Sequence, residues 1–229
     1  MNYRILLLAP LAAVVFSVSA ASLRMPQGWF AFQMSHPADT ATMTPAAALN
    51  GYEVGIDPSA GGAPTLTIRS VSPKAPGPIS AGSAYQSVLG YAGKRVRFSG
   101  ELRAEAVRGW AGLYLGEGFG HLSIDVTAAR GGEKQLPTGG AVPADGSWHD
   151  ISVVLDVPAE ATHLGLGVGL VGEGQVWARG LHFEVVGPEV APTTTPIGID
   201  LQQARRFYAA SLAETAKLAP SPLRNVALD

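Results

Sequence analysis

Between Tyr52 and Val185 apolar and polar residues alternate in short runs, and Gly, Pro, Asp or Asn separate one run from the next. GYEVGID sets Tyr52, Val54 and Ile56 against Glu53, Gly55 and Asp57; PTLTIRS sets Leu66 and Ile68 against threonines and Arg69. A period of two, rich in β-branched and aromatic residues, marks half-buried strands. The longest run is KRVRFSGELRAEAV, Lys94 to Val107. Val96, Phe98, Gly100, Leu102, Ala104 and Ala106 share one face there, and Arg95, Arg97, Ser99, Glu101, Arg103 and Glu105 the other. At ~3.3 Å per residue it extends about 45 Å, so the pattern predicts a bend or bulge at Gly100. GWFAFQM supplies a first strand, and GWAGLYLGE, HLSIDVTA, HDISVVLDVP, THLGLGVGL and GQVWARGLHFEVVG continue the series. A short turn at Arg108-Gly109 is expected to fold GWAGLYLGE back as a hairpin partner of the long run. About nine strands with no helical period between them predict an all-β antiparallel β-sandwich, most simply a jelly roll.

The same alternation nominates a core of Phe98, Leu102, Val153, Leu155, Leu166 and Val168. In the last strand Val176, Leu181, Phe183 and Val185 point inward, and Arg179 is an irregular insert. GWAGLYLGE places Ala111, Leu113 and Leu115 on the core side and Trp110, Gly112, Tyr114 and Gly116 on the other, which leaves two readings: Trp110 and Tyr114 project from the sandwich, or one or both pack within it.

The chain ends follow different rules. MNYR, ILLLAPLAAVVF and SVSAA form a charged, an apolar and a small-residue segment in order, the arrangement of a secretory signal peptide over residues 1–20, cleaved after Ala20. Its apolar run is shorter than the ~20 residues a membrane-spanning helix needs. The sandwich then covers 21–187, and a Pro/Thr-rich linker, GPEVAPTTTPIG, covers 188–199 beyond Gly187. Residues 200–229 form a C-terminal helix and tail: Asp200 and Gln203 make a capping pair, Leu201, Ala204, Tyr208, Leu212 and Leu218 recur near helical spacing, and Pro220 stops the helix.

Charge and composition narrow the partners. The 229 residues carry a formal net charge of −2 with no basic run, so nucleic acid is not an expected partner. There is no cysteine, which excludes disulfides, a lipobox anchor and thiol catalysis. Export without disulfides fits a periplasmic or secreted bacterial protein, with no membrane span after signal cleavage.

Motif by motif, little chemistry stands out. GVGLVG, Gly167 to Gly172, matches a dinucleotide-binding pattern, but another strand follows where a helix is required. Its glycines more simply let something approach that face of a strand closely. His36, His121, His149, His163 and His182 show no metal-ligand spacing, and no G-x-S-x-G elbow exists. Glu101 and Glu105 lie about 13 Å apart along one face, beyond the roughly 5 to 9.5 Å of a glycosidase pair. They pair more naturally with Arg97 and Arg103. Trp110, Tyr114 and Trp148 are the aromatics that a sugar ring would stack on.

YAGKRVRFSGELRAEAVRGWAGLYLGEG, WHDISVVLDVP and GQVWARGLHFEVV together resemble a family of bacterial galactose-binding-like, carbohydrate-binding-module-like jelly-roll domains, over about Trp29 to Val186. PLRNVALD resembles a closing segment of such domains. Some members carry a transcription-regulator label, which an exported, nonbasic chain does not support. Two departures stand out. Ala178, Arg179 and Gly180 follow Trp177 where the family has an acidic pair, and SIDVTAAR keeps only Asp125 of an Asp-Asn pair. The resemblance allows a structural calcium, and those losses disfavour it; no other cofactor or metal is implied.

These features point to a noncatalytic exported binding or interaction domain for carbohydrate or another cell-envelope component. The ligand-binding residues are expected to be Trp110 and Tyr114, with Arg103 and Glu101 as polar contacts. Two alternatives remain: a periplasmic hydrolase with a loop-built site, and a structural envelope protein acting through its C-terminal helix.

Overall fold

The computed structural model describes residues 23–34, 42–44, 48–49, 51–60, 62–71, 81–119, 122–123, 140–159, 161, 163–193 and 220–229. The signal segment, the C-terminal helix expected from Asp200 and the residue Asp125 lie outside them. All regular structure in the described residues is strand: β1 Phe30–Met34, β2 Thr42–Thr44, β3 Ala48–Leu49, β4 Tyr52–Ile56, β5 Leu66–Ser70, β6 Ala81–Val88, β7 Arg95–Phe119, β8 Leu122–Ser123, β9 Asp145–Asp156 and β10 His163–Val185.

Two strands organise the rest. β7 has 25 residues and β10 has 23, and they pair antiparallel along nearly their whole length. The first half of β10, Leu164 to Val171, pairs with β6, which leads to β1 and β2. Its second half, Gln175 to Ala178, pairs with β5, which leads to β4 and β3. The amino-terminal half of β7 pairs with β9 and its far end with β8. One ladder thus becomes two half-sheets: β9-β7-β10-β5-β4-β3, the charged half, and β8-β7-β10-β6-β1-β2, the glycine half. Every pairing is antiparallel.

The corner between the halves lies where the β7–β10 register shifts, between Glu173 and Gln175 opposite Glu105 and Arg108. Ala106 takes φ 52°, and Gly174 takes φ 121° in the opposing strand. Sheets of a sandwich commonly share strands that change sheet at a bulge. Two expectations are corrected here. GWAGLYLGE is the continuation of the long strand, not a hairpin partner, and THLGLGVGL runs unbroken into GQVWARGLHFEVVG. A β10 irregularity does lie opposite Gly100, as the pattern predicts, and a second bulge at Ala106 flips the facing of β7. Even-numbered residues point inward up to Ala104, and odd-numbered ones from Ala111 onward, so both apolar sets reach one core. At Gly100 a Cβ would lie 2.7 Å from Leu181, one of the two β10 residues in the irregularity between Arg179 and His182.

All six nominated core residues are buried, together with Leu66, Ile68, Leu113, Leu115, Leu164, Val176 and Leu181. Tyr52 of β4 bridges the halves. Its ring lies against Gly82 of β6, and its hydroxyl donates to the Gly172 carbonyl at 2.8 Å. Phe183 is only partly buried, and Val185, expected inside, is 52% exposed because the ladder ends there. The carboxy-terminal residues close the glycine half. Trp29 Nε1 donates to the Asn225 carbonyl at 3.0 Å, Gln86 bonds both the carbonyl and the amide of Arg224, and Leu228 is fully buried.

Candidate functional site

The outward face of the glycine half is laid down by alternation: Gly165, Gly167, Gly169 and Val171 on β10, Trp110, Gly112, Tyr114 and Gly116 on β7, and Ser83 and Tyr85 on β6. Trp110 and Tyr114 do lie opposite the aliphatic core, as the sequence predicts. They do not project. Each is only 6% exposed. A Cβ on Gly169 would sit 3.0 Å from the Trp110 ring and 3.5 Å from Tyr114; one on Gly167 would sit 2.8 Å from the Tyr114 hydroxyl, and one on Gly165 would sit 2.7 Å from Tyr85. The glycines therefore form a trough in which the rings lie, and what approaches the face of GVGLVG is the sheet's own aromatics. The Tyr114 hydroxyl meets Ser83 Oγ at 2.6 Å. Trp110 Nε1 is buried, with no acceptor among the described residues. The expectation that these two residues offer open stacking faces is thus corrected.

Arg103 and Glu101 fall on the other outward face, beyond the bulge, and the structure separates them from Trp110 and Tyr114. Cross-strand register sets Trp148 of β9, Arg103 of β7, Trp177 of β10 and Thr67 of β5 in one row. Trp148 and Trp177 stand two strand spacings apart, about 9.6 Å, and both are half-buried. The Arg103 guanidinium stacks 4.8 Å from the Trp177 ring centroid, and that of Arg179 stacks 4.1 Å from the Trp148 ring centroid. Arg179 Nε donates to Glu101 Oε2 at 2.7 Å, while Arg103 is paired with Glu105. Glu101 thus pairs with Arg179, not with Arg97, which pairs with Glu184. The remaining indole contact is Trp177 Nε1 to Asp57 Oδ2 at 2.9 Å.

Of these residues the sequence pattern marks Trp148 as a stacking candidate, sets Trp177 in a core strand and makes Arg179 an insert. The available signal was phase: Trp177 and Arg179 fall between the inward Val176, Ala178 and Leu181.

The electrostatics of this face favour ionised groups. Burial works to raise Asp57, but hydrogen bonds from Ser59 and Trp177 outweigh it and hold its carboxyl below the usual value. The bond to His149, at 2.9 Å, holds Asp145 low, helped by the Ser147 amide. Next to the row, at the corner, a crevice of about 620 Å3 is lined by Arg69, Glu105, Arg108, Glu173 and Gln175, among others. Among the described residues no group of three or more His, Cys, Asp or Glu could hold a metal ion, and no helix is long and apolar enough to cross a membrane.

No protein-family profile matches the chain. A 105-residue stretch, 45% of the chain, is 31% identical to the uncharacterized HTH-type transcriptional regulator YbfP of Bacillus subtilis, and the match spans about a third (32%) of that protein's length. Among solved structures, a CBM4 domain is similar with TM-score 0.42 and 11% identity, over 69% of this chain and 86% of that one. The CBM22-1 xylan-binding domain of Paenibacillus barcinonensis Xyn10C is similar with TM-score 0.41 and 14% identity, over 72% and 90%. A tailspike protein of bacteriophage CBA120 gives TM-score 0.40 and 11% identity, over 70% of this chain and 20% of its own. Carbohydrate-binding modules are thus among the structural neighbours.

Proposed function

We propose that the protein is an exported, noncatalytic domain that binds carbohydrate through the outward face of the charged half. The observation that carries this reading is the Trp148–Arg103–Trp177 row. It offers two half-exposed indoles in one line, with Glu101, Arg179, Glu105 and Gln175 around them as hydrogen-bonding groups. Flat aromatic surface beside a few convergent polar groups is the composition a sugar chain requires. Export rests on the amino-terminal segment pattern, and amino-terminal sequencing of the native protein would show Ala21 first.

A second reading draws on the two guanidinium–indole stacks. They cover ring surface that a sugar would use, and an alternating Trp/Arg ladder also stiffens a sheet. A glycan array followed by calorimetric titration separates the two, with xylo-oligosaccharides, the ligand class named for the CBM22-1 neighbour, as one arm. If the face binds glycan, Trp148→Ala and Trp177→Ala each weaken binding by about tenfold or more while the melting temperature changes little. Intact binding with strongly lowered melting temperatures would leave the ladder role alone.

A further inference from the structure

Arg179 is tethered twice, by its stack on Trp148 at 4.1 Å and by the bond from Nε to Glu101 at 2.7 Å. Its side chain is 33% exposed. Among the described residues Nη1 and Nη2 of Arg179 donate to no acceptor, since its hydrogen bonding runs through Nε alone. The other arginines of this half-sheet differ. Arg95 is filled by Asp156 and two backbone carbonyls, Arg97 gives Nε and Nη2 to Glu184, and Arg69 gives Nε and Nη2 to Glu53. Arg103, one strand away, gives Nε and Nη2 to Glu105, with Nη1 free among the described residues.

A planar guanidinium whose terminal fork is open matches a carboxylate in two parallel hydrogen bonds. Because stacking and the Glu101 bond already hold the group, little side-chain freedom is lost when an anion arrives. Nearby acids set a limit. Glu101 is engaged by Arg179, but Asp150 stands opposite Glu101 across β9 and β7 and brings a like charge near any bound anion. The preference expected is therefore moderate.

The geometry points to an acidic glycan as the ligand: a sugar chain bearing uronate carboxylates, one of which accepts from Nη1 and Nη2 of Arg179 while neighbouring rings meet the indoles of the same row. This rests on the glycan-binding reading above and deepens it.

The test is calorimetric titration of the full chain with oligogalacturonate and with its fully methyl-esterified form, at about 20 mM salt and again at about 300 mM. The acid form is expected to bind about tenfold tighter at low salt, with the gap narrowing at high salt. R179K should abolish the preference, because an ammonium keeps the charge and loses the fork. If R179K melts early, the salt series on the unaltered chain decides alone. Equal, salt-independent affinity for the two forms, or binding of neutral xylo-oligosaccharides only, would overturn the acidic preference and leave the glycan reading standing. Binding of no glycan, acidic or neutral, would overturn both.

Discussion

The two outward faces come from the same pair of long strands and are built on opposite principles. On the glycine half, every second residue of β10 lacks a side chain, so Trp110, Tyr114 and Tyr85 lie in the trough and seal it. On the charged half the corresponding positions carry Trp177 and Arg179, and across β7 stand Arg103 and Glu101, so the surface is filled by side chains that pair and stack while remaining reachable by solvent. The contrast shows that an aromatic opposite the core is not thereby exposed. Its accessibility depends on whether the neighbouring strand gives it room to lie flat.

The largest test of this contrast is Trp110→Ala. If the trough is a second packed layer, the loss is that of a core aromatic, about 3–5 kcal/mol in a denaturant titration, comparable with Phe98→Ala. A cost under about 1 kcal/mol would return Trp110 to the set of surface residues. Next comes Gly167→Ala. The new Cβ meets the Ala84 carbonyl and sits 2.8 Å from the Tyr114 hydroxyl, so about 1–3 kcal/mol of overpacking is expected. Stability equal to the unaltered chain would mean that the rings do not occupy the trough.

On the charged half the same kind of truncation should act weakly on stability. Trp148→Ala is expected to cost about 1 kcal/mol by thermal melt, its main effect falling on ligand affinity. A loss matching that of Trp110 would erase the distinction between the faces.

The smallest effect is that of pH. The Arg97 hydrogen bond holds Glu184 below its usual 4.5, the Arg95 bond holds Asp156 below 3.8, and the His149 bond does the same for Asp145. A carboxylate depressed in the folded state contributes stability above its unfolded pKa, and that contribution is lost as pH falls through the folded one. The melting temperature should therefore hold steady above about pH 5 and decline gently below about pH 4, with D156N showing a shallower decline. Because these groups are exposed, the decline is small and salt-sensitive. A melting temperature that rises on acidification would show that repulsion among the carboxylates outweighs their pairing.

Period-two alternation by itself determined which residues face the core. Phe98, Leu102, Val153, Leu155, Leu166 and Val168 are all inside, because in a strand facing follows from residue parity and little else. It also placed Trp110 and Tyr114 away from the aliphatic layer. What it could not determine was how far each strand runs, because nothing local in EAVRGW separates a turn from a bulge; the partner strand decides, and β10 continues past the corner and carries β7 with it. Nor could it place Arg103 and Glu101 relative to the aromatics. Parity changes at Ala106, and the half-sheets diverge there, so residues close in sequence end on different faces of the molecule. The joining of Trp148, Arg103, Trp177 and Arg179 comes from three strands distant in sequence. Only tertiary pairing brings such residues into one row, since cross-strand register depends on the partner's alignment and not on either strand alone.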